Sequence, residues 1–545
     1  MTTPAGRLQR LAERFGTGSV FLVLLYAGIF ALAARDVTDP DVWWHLKTGQ
    51  LIVEDHAVPR TDPFSFTRQG QRWVTHEWLS ELLIYGTYAA GGWAGLIVVF
   101  GLLTTATLVF LYLRCAGRPY AAGLVVVWAA FACRPTWGIR PQTLSMLLAS
   151  IVLWLLDRRE QRRLFWIVPL ILLWANLHAG YALGIALVAL ALVGGWLEGV
   201  LGAQPRDDLW TRTLAKVLAL SLLVVAVNPN GTRLYLYPFQ TLASQAMQSH
   251  IAEWFSPNFH RAEYGPFLFM LLGLLVMASQ APHTLRPREL PMVCAAAFGA
   301  LIAVRNIPVF VLIAGPAIAS GASRVFGKLS EPPRVRPRGL ALWGVHLAIL
   351  AGVAAFVYWQ TARVIRRQPA TEAGHFPAAA ASFVLGQEPP GPILNDYNWG
   401  GYLIWRLYPR YRVFIDGRAD VYGDAVLSQF SEAYTLQGDW EAPLNGWHIG
   451  TVILPADCPL AVALQTLPSW RVLFRDRISV VMARQGGGQN ARRKPNEAWA
   501  LREPGIPDAG AFSCEVCNKL ALLRPSPRYD GAGVALGSHF SFARR

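Results

Sequence analysis

The stretch "DPDVWWHLKTGQLIVEDH", residues 39–56, follows the first strongly apolar segment of the chain and sets two aspartates beside a tryptophan pair and a histidine. Pro40 suits the first turn of a helix and Asp39 can cap it, so a helix is predicted from Asp41 to about Glu54. Helical spacing puts Asp41, His45 and Thr48 on one stripe and Val42, Leu46, Gly49 and Val53 on another, so a carboxylate and an imidazole can converge on one pocket. The simpler role for Asp41 is to complement the helix dipole. A second cluster, "GQRWVTHEWLSELLIYGTYAAGG" at 70–92, places Glu77, Ser80 and Glu81 on one side of the next predicted helix. Its "HEWLS" is not a zinc-protease motif, because Ser80 stands where HExxH needs its second histidine.

Other polar groups sit in short breaks between apolar runs: Arg134 and Arg140 in "RPTWGIRPQ", His178 in "ANLHAG", Asn228 and Arg233 in "NPNGTRLYLYP", and Arg305 and Asn306 in "VRNIP". The elements between them are set by composition. Of 545 residues, 53% are apolar and only 15% charged, and the mean hydropathy is +0.32, which excludes an ordinary soluble multi-domain enzyme. The fold class expected is a polytopic α-helical membrane protein with about eleven spans, at 19–34, 93–113, 120–133, 143–156, 164–176, 180–200, 214–228, 265–280, 290–304, 308–320 and 340–358. The first lacks a cleavage pattern and is read as a retained helix.

Lys and Arg orient the chain, because they are disfavoured in short translocated loops. With residues 1–18 cytoplasmic, Arg114/Arg118, Arg158/Arg159, Arg206/Arg212, Arg286/Arg288 and Arg324–Arg338 fall inside. All the polar breaks above, the loop 35–92 and everything after 358 then face the other side of the inner membrane. The formal charge of +15 belongs mostly to the inside loops and the tail, so anionic membrane lipid rather than nucleic acid is the partner it indicates.

These residues carry a resemblance. An acid-bearing short helix after the first span, then "GQRWVTHEWLSELLIYGTYAAGG", resembles the opening of the GT-C glycosyltransferases, including the protein O-mannosyltransferase and lipid A aminoarabinose transferase branches. Relatives have "KPPL" where this chain has "HEWL". "DPDVWWHL" is also similar to the "D-P-Y-F-N" motif of oligosaccharyltransferases, and "GIRPQTLSMLLASIVLWLLDRR" with "PLILLWANLHAGYALGIAL" resembles the middle of the GT-C module. The likeness spans about residues 15–320.

The resemblance implies a GT-C-like membrane domain at 19–358 and a sugar donor carried on a polyprenyl phosphate, transferred to a lipid, glycan or protein acceptor. Such chemistry needs a base for the acceptor hydroxyl and cationic or hydrogen-bonding groups for the departing phosphate. Asp41 is the candidate base, with Glu77 beside it. His45, Arg134, Arg140, His178, Asn228, Arg233, Arg305 and Asn306 are candidates for the donor, although any one arginine can simply snorkel to the interface and His178 can be a structural histidine. A divalent cation, Mg²⁺ or Mn²⁺, bridging Asp39 and Asp41 is the cofactor these acids would admit, without a defining ligand spacing.

After the last span, helix and strand patterns alternate: a helix at 372–386, strands at "PILN", "YRVFIDG" and "HIGTVILP", a helix through "WGGYLIWRL", and a final pair in "WRVLFRDRISVVMAR". A small extracytoplasmic α/β domain at 370–485 is expected. Its "NDYNWGGYLIWRLYPRYRVFIDGRAD" faintly resembles the "WWDYGY" region of oligosaccharyltransferases, which implies an acceptor surface of Asp396, Tyr397, Trp399, Asp416, Arg418 and Asp420. The plain alternative is a tight turn at Gly400-Gly401 and an internal Asp416–Arg418 ion pair. Residues 486–545 read as a disordered tail with one lone CxxC, Cys514 to Cys517. Two other functions use the same residues: a lipid or glycan transporter, or a scaffold that binds glycan without turnover. A transporter predicts inverted repeats and acids buried mid-helix, which the sequence does not display.

Overall fold

The computed structural model describes residues 17–115, 119–201, 208–281, 284–325 and 340–485. The basic N-terminus, several arginines of the inside loops and the 486–545 tail with its CxxC lie outside these residues.

All eleven apolar segments are helical. They form α1 (Thr17–Ala33), α3 (Trp78–Arg114), α4 (Pro119–Cys133), α5 (Pro141–Arg158), α6 (Ile167–Leu177), α7 (Tyr181–Val200), α8 (Asp208–Val224), α9 (Gly265–Gln280), α10 (Leu290–Ile302), α11 (Ile307–Val325) and α12 (Leu340–His375). The acid-bearing segment forms α2 (Val42–Asp55). Among the described residues five stretches are long and apolar enough to cross a bilayer unaided: Trp78–Arg114, Tyr181–Val200, Ala262–Gln280, Val304–Val325 and Trp343–His375. At 1.5 Å per residue a crossing takes about 20 residues, so the 37 residues of α3 exceed one. The excess is divided off at Gly92, whose φ of +54° breaks the helix and which a side chain would strain. Only Trp93–Arg114 is then left to cross, matching the predicted start at 93.

The two ends of the bundle differ in what they hold. At one end Arg114 pairs with Asp157 at 2.8 Å, and Glu198 lies 3.6 Å from Arg159 and 3.8 Å from Arg288. At the other end α2 lies against the first turns of α3 and is covered by the C-terminal part of the chain.

That C-terminal part begins where α12 delivers the chain to α13 (Ala378–Gln387). It continues through β1 (Ile393–Asn395), α14 (Gly400–Leu407), α15 (Ala419–Thr435), β2 (Thr451–Pro455), α16 (Pro459–Thr466), β3 (Trp470–Arg475) and β4 (Ser479–Arg484). The sheet order is β1-β2-β4-β3, with β1 parallel to β2 and the other pairs antiparallel. One expected strand is absent. "YRVFIDG" runs extended past the loop after α2 instead, with Val413 N–H bonded to the Phe64 carbonyl at 3.1 Å and Phe66 N–H to the Val413 carbonyl at 3.2 Å. The first loop therefore takes the hydrogen bonds that a sheet neighbour would have supplied, which ties residues 60–75 to 411–422.

Trp43 anchors this contact. It is 1% exposed and lies edge-on to Trp93 at 5.0 Å, Phe376 at 5.3 Å and Tyr402 at 4.7 Å, and Trp44 is buried beside it. Both tryptophans are interior, because α14 covers them. Gly401 permits the approach: a Cβ there would come within 2.6 Å of the Pro40 carbonyl oxygen and 3.3 Å of Trp44.

Candidate active site

The site gathers where α2, the start of α3, the breaks before α5 and α11, and the segment 250–255 meet. Arg140, extended at the N-cap of α5, is its first centre. Its guanidinium bonds Asp39 and Glu253, and Asp41 Oδ2 lies 3.5 Å away. Asp39 Oδ1 also accepts the Asp41 N–H at 3.0 Å, so the residue expected to cap α2 performs a related service one position along. Trp44 Nε1 donates to Asp41 at 3.2 Å. Burial raises the Asp41 carboxyl, the Arg140 charge opposes this, and nearby Asp39 and Glu253 add to it; the result is about 7. Arg140 occupies the position from which a cation would have to bridge Asp39 and Asp41, so that cofactor assignment does not fit the arrangement.

The second centre is Glu77, just before α3. Its Oε1 lies 3.5 Å from His76 Nε2 and 3.3 Å from His178 Nε2, and its Oε2 lies 3.8 Å from His45 Nδ1. Donors and acceptors fix the protons. The backbone N–H of Gly180 donates to His178 Nδ1 at 3.0 Å, so that nitrogen is bare and Nε2–H faces Glu77. Ser145 supports the same nitrogen at 2.7 Å and is itself held by Trp174 Nε1. His76 Nδ1 faces the Val74 carbonyl at 3.1 Å and donates to it; its Nε2 meets a carboxylate, so both nitrogens carry protons. Burial alone would discharge His76, but Glu77 outweighs it and raises its pKa. Glu77 is correspondingly held down to about 2, against its burial, chiefly by His76. Burial keeps His45 neutral, at about 3, and His178 neutral, at about 4, with Glu77 opposing in both cases. The contacts of these two neutral imidazoles are therefore polar contacts, and His76–Glu77 is the ion pair.

A cavity of about 620 Å³ adjoins both centres. Its polar end is walled by Arg140, His178, Glu253, Arg305 and Asn306, and its other end by residues such as Leu183, Leu187, Met292, Val309 and Leu312. Arg305 lies over the Trp254 ring at 4.6 Å and has no carboxylate partner among the described residues. A smaller cavity of about 240 Å³, between Arg35, Asp36, Asp39, Phe100 and Trp137, shares Arg140 and Glu253 with the first.

Arg140, His178, Arg305 and Asn306 are thus brought together, with His45 and Glu77 close behind. Arg134 and Arg233 are exposed and do not line the cavity. Asn228 closes its own turn, donating to the Val225 and Gly231 carbonyls and accepting from Asn230 N–H. Asn306 Nδ2 donates to the Gly299 carbonyl at 3.1 Å.

The proposed acceptor surface is mostly interior. Arg418, 2% exposed, bonds Asp416 through Nε at 2.8 Å and Nη2 at 2.7 Å, and Asp62 through Nη1 at 2.8 Å. Tyr422 OH also donates to Asp416. The internal ion pair is therefore what the structure contains, and it locks the first loop to the C-terminal part. Asp396 is buried and caps the turn at Asn398 N–H, 2.9 Å away, and Trp399 Nε1 donates to the His375 carbonyl at 3.0 Å. Of these six, Tyr397 and Asp420 are the two half-buried beside the site: the Tyr397 OH faces the Gly417 carbonyl at 3.4 Å, with Asp41 the strongest charge acting on it, and Asp420 acts on His76 and Glu77. We expect Arg418→Met to leave Asp62 and Asp416 buried without their cation and to destabilise the protein by about 3–5 kcal/mol. The midpoint of thermal unfolding in detergent measures this, and an unchanged midpoint would contradict it.

Sequence reasoning missed Glu253, His76 and the Ser145–Trp174 support. Loop parity could have placed Glu253 on the same face as Arg140, since it stands in the outer segment before α9; the other two have no signal beyond residue type.

This architecture, a helical bundle whose first loop is clasped by a C-terminal α/β layer, is the fold of solved oligosaccharyltransferases. The chain aligns with the archaeal oligosaccharyltransferase AglB from Archaeoglobus fulgidus, in complex with an inhibitory peptide and a dolichol-phosphate, at TM-score 0.52 and 10% identity over 81% of this chain and 69% of that one. A second structure of the Archaeoglobus fulgidus oligosaccharyltransferase, tethered to an acceptor peptide, gives TM-score 0.52 and 11% identity over 81% and 70%. ArnT from Cupriavidus metallidurans, bound to undecaprenyl phosphate, gives TM-score 0.46 and 16% identity over 85% and 96%. No family model and no curated protein matches the sequence.

Proposed function

We propose that the protein is a membrane glycosyltransferase that takes a sugar from a polyprenyl-phosphate donor and delivers it to an acceptor hydroxyl or amide outside the cytoplasm. The observation that carries this reading is the two-ended cavity: an apolar channel between helices that ends at a guanidinium without a carboxylate partner. An isoprenoid fits the apolar end and a phosphate the polar one. The AglB structure of the same fold holds a dolichol-phosphate, which supports a ligand of this class.

In this reading Arg305 binds the phosphate and Trp254 holds the guanidinium plane in place. Asp41 takes the acceptor proton, poised by burial near neutrality, while Arg140 keeps it oriented. Glu77 organises His76 and His178 behind the reacting atoms. Tyr397 is the contribution of the C-terminal part to the acceptor side. In this reading the N-terminus is cytoplasmic and residues 370–485 are extracytoplasmic, which the position of the basic loop ends opposite the site supports.

The test is a transfer assay in liposomes with a panel of radiolabelled polyprenyl-phosphate sugars and extracted envelope glycolipid or peptide acceptors. Label should move from lipid to acceptor with release of polyprenyl phosphate. Net movement of intact donor across the bilayer without cleavage would support the transporter instead.

A further inference from the structure

His45 and Glu81, with the Oε2 oxygen of Glu77, form a feature that the transfer reading leaves unused. All three are buried, at 2%, 6% and 0% exposure, and one ligand atom from each lies within 4.8 Å of the others. His45 Nδ1 is 3.8 Å from Glu77 Oε2 and 3.8 Å from Glu81 Oε1. His45 Nδ1 and both carboxylate oxygens of Glu81 have no hydrogen-bond partner. A native interior rarely leaves such groups unsatisfied, and a carboxylate with two orphan oxygens is a costly one.

The backbone holds these atoms in place. Gly49, one turn after His45, packs against Tyr85, one turn after Glu81; a Cβ at Gly49 would come within 2.6 Å of the Tyr85 Cβ. Helices α2 and α3 are thereby drawn together with the imidazole facing both acids. The far oxygen of Glu77 is fixed by His76 and His178, the outer support that ligating carboxylates in metal sites commonly have. A proton on Glu81 could neutralise its charge, yet at 3.8 Å it would make no hydrogen bond to His45. A cation satisfies all three atoms together: with His45 Nδ1 3.8 Å from each carboxylate oxygen and the ligand atoms within 4.8 Å of one another, a point equidistant from them lies roughly 2–2.5 Å from each, the range of metal–ligand bonds.

We propose that His45 Nδ1, Glu77 Oε2 and Glu81 Oε1 bind one divalent first-row transition metal ion at the junction of α2 and α3. One imidazole among carboxylates favours Mn²⁺ or Zn²⁺ over Mg²⁺ and Ca²⁺. The ion fastens α2, which Asp41 caps, to the start of α3, which Glu77 caps. The site does not rest on the transferase reading, since its readout is metal content.

The test uses the untagged full-length chain in detergent, with Cys514→Ser and Cys517→Ser to remove the tail thiols, stripped with chelator and re-exposed to MnCl₂ or ZnCl₂. We expect about one ion per chain to survive gel filtration. Glu81→Gln and His45→Gln should each weaken binding at least roughly 10-fold, and Asp39→Asn should leave it intact. Should a variant fail to fold, pulsed EPR of the Mn²⁺-loaded parent decides: a single imidazole nitrogen coupled to the metal is expected. A parent chain that takes up neither ion, an unchanged affinity in both ligand variants, or a Mn²⁺ signal without nitrogen coupling would overturn the proposal.

Discussion

Asp41→Asn should lower turnover by roughly 10²- to 10⁴-fold, the range that a positioned general base supplies, while leaving donor binding nearly unchanged. The substitution keeps the shape of the side chain and removes the proton acceptor. Arg140 retains Asp39 and Glu253, so no buried cation is orphaned. The pH profile separates a base from a structural acid. With the carboxyl at about 7, the parent's kcat/KM should fall tenfold per unit below that value and level off above it, because the base works only when ionised. The Asn variant's residual rate should lack that acidic limb. Stability moves in the opposite direction. A carboxyl raised in the folded state binds its proton more tightly there than in the unfolded chain, so its contribution is present below the unfolded value near 4 and declines as pH rises to about 7. The Asn variant should therefore be at least as stable as the parent at pH 8. A variant that unfolds, or a profile that keeps its acidic limb, would assign Asp41 a structural role.

Arg305→Ala should weaken donor affinity by roughly 10- to 150-fold, the equivalent of about 1.5–3 kcal/mol for hydrogen bonds to a charged group. The fold should survive, since the guanidinium rests on Trp254 and Glu253, whose carboxyl it helps to hold down, keeps its ion pair with Arg140. Arg305→Lys should recover part of the loss, because it restores the charge without the planar fork. Titration of the detergent-solubilised protein with a fluorescent polyprenyl phosphate gives the affinities. Equal affinity across the three proteins would remove Arg305 from the donor site.

The features legible in the sequence were those set by local periodicity. Apolar run length located the helices, including the start of the crossing part of α3 at 93. Pro40 and Asp39 placed α2, and loop parity put Arg140, His178 and Arg305 on one side. Side-chain partners were less legible, because they depend on contacts far apart along the chain. Nothing local to "RPTWGIRPQ" indicates that Arg140 is shared among Asp39, Asp41 and Glu253, so it appeared free for phosphate. Trp43 and Trp44 have the composition of an interfacial belt, and only α14, more than 350 residues on, makes them interior. "YRVFIDG" has the pattern of a strand and satisfies its backbone against the first loop instead. Asp416 and Arg418 had two readings on the sequence, surface or ion pair, and burial with Asp62 selects the second.

Cryo-electron microscopy of the protein in nanodiscs with a polyprenyl phosphate tests most directly whether this cavity is the donor site. The account predicts phosphate density within hydrogen-bonding reach of Arg305, with the isoprenoid running between Leu183, Leu187, Met292 and Val309. Lipid bound elsewhere, with this cavity filled only by solvent, would contradict it.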